Sequence, residues 1–176
     1  MQAYWRAVGW SLPIEQIAVQ PWSAAFVSWV MIQAGTPTAA FCGHPAHSAY
    51  LETIWKRQQR DTGAPFVLRH YLEAVPQPGD LICAARRPSQ RAPVSEVSVG
   101  HFRRPDGNFL ASHCDVVVRV DPARGLLEAI GGNVADSVTM SIFDIDASGR
   151  LRAPADRDGA RPWFAVVENR YARQRR

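Results

Sequence analysis

Residues 112–132 read "SHCDVVVRVDPARGLLEAIGG". The valine-rich first half has the β-branched content of a strand, "PARG" supplies a turn, and "LLEAIGG" returns as its hairpin partner. Two later segments, "DSVTMSIFDI" and "PWFAVVEN", predict further strands. Upstream, "PQPGDLICAARR" reads as a turn feeding another. Together these predict an antiparallel sheet of about four to six strands, an ordinary size.

The N-terminal half has a different period. "PWSAAFVSWVMIQAG" (21–35) predicts a helix over 22–34, with Gly35, Thr36 and Pro37 as its stop. Apolar residues surround it, so a central buried helix is expected. "AHSAYLETIWKRQQR" (46–60) places Tyr50, Leu51, Ile54 and Trp55 on one stripe, as an amphipathic helix does. Short helices are also expected over 3–10 and in "FVLRHYLEAV" (66–75), and "SLPIEQIAVQ" reads as a connector. Helices followed by strands predict an α+β fold without repeats.

The 176 residues, 47% hydrophobic and 20% charged, suit one domain, 1–176, with its core over about 20–170 and a solvated, frayed basic tail, "NRYARQRR". The net charge of +4 comes from scattered arginines without aromatic interleaving, so no nucleic-acid partner is expected. No apolar run is long enough to span a membrane, and "MQAYWRAVGW" lacks the basic start and apolar core of a signal peptide. The expected location is therefore the cytoplasm, or the periplasm or a target cell reached by a leaderless route. Cys42, Cys83 and Cys114 are odd in number and far apart; no disulfide framework follows, and all are expected as free thiols.

Three polar residues stand where apolar elements begin or end: Ser23, His113 and Asn133. A nucleophile, a base and an orienting group are the parts of acyl-transfer catalysis. Asp115, two residues from His113, shares its strand face and is a second candidate to hold the imidazole. Read singly, Ser23 is an N-cap or a core residue, although Pro21 at a first helical position would move the cap to Gln20. Asn133 after Gly131 and Gly132 reads as turn chemistry. Cys114 points to the opposite face, towards the core. Cys42, His44 and His47 offer zinc-ligand types, but no fourth ligand stands at recognisable spacing, so no metal or other cofactor is expected.

In order along the chain, "PWSAAFVSWVMIQAG", "PQPGDLICAAR", "SHCDVVVRVD" and "LLEAIGGNVADSV" resemble segments of the NlpC-type and CHAP-type cell-wall amidases and peptidases, whose fold is papain-like. The resemblance covers roughly residues 20–140. It implies a nucleophile at the N-terminus of the buried helix, a strand histidine, and a polar group from a neighbouring strand, which fall on Ser23, His113 and Asn133. Asp115 stands where the family usually has glycine.

Serine in place of the family's cysteine is the main departure. A thiol at a helix N-terminus beside histidine ionises near neutral pH, whereas a hydroxyl depends on the histidine to remove its proton during attack. The expected activity is hydrolysis of an amide or peptide bond, in bacterial peptidoglycan, by a Ser-His-Asp or Ser-His-Asn set. A secreted antibacterial effector is the expected setting. The alternative is a catalytically silent module that binds a cell-wall peptide or a protein. Trp22, with Arg103 or Arg104 from the long polar loop 86–108, is the expected substrate contact, the arginine taking a carboxylate.

Overall fold

A computed structural model describes residues 1–11, 13–17, 19–87, 95–152 and 162–174. Helices α1 (Gln2–Ala7), α2 (Ile14–Ile17), α3 (Ser23–Gln33) and α4 (His47–Gln58) precede six strands and a final short helix. The strands are β1 (Phe66–His70), β2 (Leu81–Ala85), β3 (Ser112–Asp121), β4 (Leu126–Val134), β5 (Ser137–Asp144) and β6 (Trp163–Asn169); α5 is Arg170–Arg173. They form one sheet in the order β1-β6-β2-β3-β4-β5, every neighbouring pair antiparallel. The architecture is α+β.

The sheet has apolar contacts on both faces. On one, Leu81, Cys83, Cys114 and Val167 pack against Phe26 of α3 and Leu51 and Ile54 of α4. On the other, Ile82, Val117, Leu127 and Val166 pack with Ala74, Ile145 and Leu151 from the connections. Burial of α3 follows its composition: Ser23 through Ser28 and Met31 are buried, and Gly35, at φ 73°, ends the helix. The amides of Gly35 and Thr36 bond back to Ile32 and Met31, the pattern of a Schellman stop.

Three expectations need correction. Residues 66–70 form β1 rather than helix, because "FVL" is a β-branched and aromatic run whose partner, β6, lies almost a hundred residues on and leaves no local signal. The basic tail is docked through residue 173: Arg173 pairs with buried Asp80 at 2.6 Å and Tyr171 Oη bonds the Gly35 carbonyl. Residues 175–176 of that tail lie outside the described residues. Cys83 and Cys114 are not free. They stand opposite each other on β2 and β3 with Cα atoms 4.2 Å apart and form a disulfide, a juxtaposition fixed by sheet register and invisible in their 31-residue separation. Cys42 is free and exposed.

Candidate active site

Ser23 is the first residue of α3, after Trp22 as N-cap, and its side chain makes no capping bond. The hydroxyl instead lies between two imidazoles, 3.0 Å from Nδ1 of His113 and 2.9 Å from Nε2 of His47. Nε2 of His113 lies 2.7 Å from Oδ1 of Asp115, which is wholly buried. Nδ1 of His47 meets the hydroxyl of Tyr50 one helical turn along α4.

With Asp115 as a carboxylate, one order of protons satisfies every contact. The Asp115 carboxylate only accepts, so Nε2 of His113 carries hydrogen and its Nδ1 offers a lone pair. Ser23 therefore donates to His113, and its oxygen accepts from Nε2–H of His47. His47 Nδ1 then accepts from Tyr50. Every hydrogen bond in the chain Tyr50, His47, Ser23, His113, Asp115 runs in one direction, and each member has the partner its tautomer requires. Burial holds His47 well below the usual imidazole value, with the charges of His113 and Arg86 adding to the effect. Burial also pushes the Tyr50 phenol well above its usual value, helped by Asp115. Both groups therefore stay neutral, as the proton order demands.

The glycines of "GGN" make room for this array. A Cβ at Gly131 would overlap the Asp115 carboxylate, and one at Gly132 would lie 2.6 Å from Phe26 Cβ. Only bare backbone lets β4 pass behind the Asp115 carboxylate and against α3. Asn133 has φ 58° at the irregular end of β4, before the two-residue turn of Ala135 and Asp136 at φ 49° and 55°. It lines a cavity of about 210 Å³ with His113 and Arg86, but no hydrogen bond joins it to the ring among the described residues. Of the two candidates to hold the imidazole, Asp115 is the one in contact with the ring.

A larger cavity of about 460 Å³ opens over Ser23, walled by Trp5, Trp10, His44, His47, Arg86 and Phe109. The expected substrate contacts do not reach it. Trp22 is core, stacked on Tyr4 at 5.6 Å and edge-on to Phe26. Arg103 is bound by both oxygens of Glu52, at 2.9 and 3.0 Å, and lies over Phe109; Arg104 pairs with Asp106. Of the loop 86–108, Arg86 borders the cavity, as do Phe109–Ala111 just after the loop, while residues 88–94 lie outside the described ones.

His47 and Tyr50 escaped the sequence reading, which weighed His47 only as a zinc ligand and Tyr50 as part of a helical stripe. The signal was their spacing of three, which stacks an imidazole and a phenol on one helix face. His44 turns elsewhere, its Nδ1 accepting from the Ala46 amide. Ser28 steadies that loop from α3: its hydroxyl accepts from the His44 amide at 3.2 Å and donates to the Ala24 carbonyl at 2.8 Å.

A family model described as an uncharacterized protein conserved in bacteria (DUF2272) matches residues 2–169. No curated protein and no solved structure matches the chain.

Proposed function

This chain belongs to the bacterial family DUF2272, and we propose that it is a serine-type hydrolase of amide or peptide bonds with a papain-like arrangement of its α+β fold. The observation that carries the proposal is the unbroken contact from Ser23 Oγ through His113 to buried Asp115, at 3.0 and 2.7 Å, at the edge of an open cavity. The nucleophile at the start of a buried helix and the histidine on the sheet match the placement implied by the resemblance to NlpC-type and CHAP-type enzymes. That resemblance makes peptidoglycan peptides the substrate of choice.

The chemistry follows from the tautomers. Ser23 Oγ attacks the carbonyl carbon, a C–O bond forms, and the hydroxyl proton passes to Nδ1 of His113 while the carbonyl electron pair moves onto oxygen. Asp115 stabilises the resulting imidazolium and holds its orientation. The amides at the start of α3 precede the first intrahelical bond, Phe26 N to Trp22 O, and the positive helix end favours the oxyanion. Collapse breaks the C–N bond as His113 returns its proton to the leaving amine. Water, activated by the same Nδ1, then cleaves the acyl ester and restores Ser23. His47, held neutral, is a donor rather than a second base: it fixes the Ser23 lone pair so that the O–H points at His113.

The disulfide between Cys83 and Cys114 supports action in an oxidising compartment, such as the periplasm or a target cell envelope. The deciding experiment incubates purified protein with peptidoglycan fragments, beside Ser23→Ala and Ser23→Cys. Release of amine by the native protein, lost in Ser23→Ala, is expected. No turnover by the native protein, with activity appearing in Ser23→Cys, would instead identify a silent binding module.

A further inference from the structure

Two cavities flank the Ser23–His113 pair, one over Ser23 and His47 and the other against His113 and Asn133, and Arg86 lines both. No aspartate or glutamate lines either, so among the described lining residues Arg86 is the only permanently charged one. Arg86 is exposed just after β2, and among the described residues its backbone, not its side chain, makes its hydrogen bonds: the amide to the Ala111 carbonyl and the carbonyl from the Ser95 amide. Two arginines of the 86–108 loop have acids of their own: Arg103 has Glu52 and Arg104 has Asp106. Asp115, the carboxylate behind the cleft, is wholly buried and engaged by His113. The charge of Arg86 nevertheless reaches the site, where it adds to the depression of His47.

We propose that Arg86 forms an anion subsite beside the scissile bond, so that the cleft selects substrates carrying a free carboxylate within a few bonds of the amide attacked by Ser23. A planar guanidinium presents paired donors that match a carboxylate, and a cleft with no competing acid leaves them available. The aromatic walls of the larger cavity, Trp5, Trp10 and Phe109, then take the apolar part of the same substrate. This deepens the hydrolase reading and rests on it for the position of the bond, but the binding of the anion stands apart from turnover.

The test is equilibrium binding of N-acetylalanine against N-acetylalaninamide, an acid and its amide of which only the first carries a carboxylate, read by the fluorescence of Trp5 and Trp10 and by chemical shifts. Native protein and Ser23→Ala are both expected to prefer the acid by about tenfold, the scale of a charge-assisted hydrogen bond at an open site. Arg86→Gln abolishes that preference and Arg86→Lys keeps part of it. Equal affinity for the two probes, or a preference that survives Arg86→Gln, overturns the assignment. Because Ser23→Ala cannot turn over, failure of the hydrolase reading would show as absent turnover with the anion preference intact.

Discussion

Two buried aspartates serve the same sheet in opposite ways. Asp80, 1% exposed at the start of β2, accepts the amides of Gln77 and Asn169 at 2.8 Å each and pairs with Arg173. Its partners are permanent donors, and together they pin the start of β2, the end of β6 and α5. Even so, burial pushes its carboxyl upward against the pull of those donors. Asp115, equally buried in the middle of the sheet, is given an imidazole, and that imidazole reaches a hydroxyl. A fixed cation makes an acid a clamp, whereas an imidazole partner leaves the acid holding a ring that is itself bonded to a hydroxyl.

Substitutions can break this contrast. Asp115→Asn should cut hydrolysis by about 10³ to 10⁴-fold, because an amide would favour the other His113 tautomer, and should leave the melting temperature nearly unchanged. Asp80→Ala should do the reverse: stability falls by about 3 kcal/mol as Arg173 and two amides lose their acceptor, with kcat/KM of the folded protein preserved. Chemical denaturation beside steady-state kinetics reads both. Equal effects of the two substitutions on activity would dissolve the distinction.

The disulfide lies one register pair beyond Asp115, since Asp115 stands opposite Ile82 and Cys114 opposite Cys83. Reducing it, or replacing both cysteines by serine, should lower stability by about 3 to 4 kcal/mol for a closed loop of 31 residues, measured by denaturant midpoint.

A smaller effect sharpens the role of His47. Its folded value lies below the unfolded one, so acid protonates the unfolded chain first, and stability falls as pH drops below about 6.5. His47→Gln should flatten that fall by up to about 1.4 kcal/mol per pH unit, read from denaturation at a series of pH values. An unchanged slope would mean that folded His47 takes up a proton as readily as the unfolded chain does, which would cost its Nδ1 the lone pair that accepts from Tyr50.

How far the sequence reached is plain from particular residues. The hairpin 112–134 was legible because a valine run and "PARG" are local signals, and α3 because length, formers and Gly35 agree. Ser23 and His113 were legible because each sits at an element end in the register of the resemblance, and Asp115 because it lies two residues from His113 on the same strand face. Three features depended on pairings distant along the chain. The strand character of 66–70 needed β6, the disulfide needed the β2–β3 register, and the occupancy of Arg103 needed Glu52 from α4. His47 and Tyr50 lay in plain view, but only the approach of α4 to the start of α3 gives them a role.

The most direct measurement is covalent. Treating the native protein with a fluorophosphonate and locating the adduct by mass spectrometry reports whether the hydroxyl between two imidazoles is a nucleophile. The account predicts one adduct, on Ser23, whose rate of formation collapses in His113→Gln and Asp115→Asn and falls less in His47→Gln. An unlabelled Ser23 in folded native protein, or labelling that ignores His113, would contradict it.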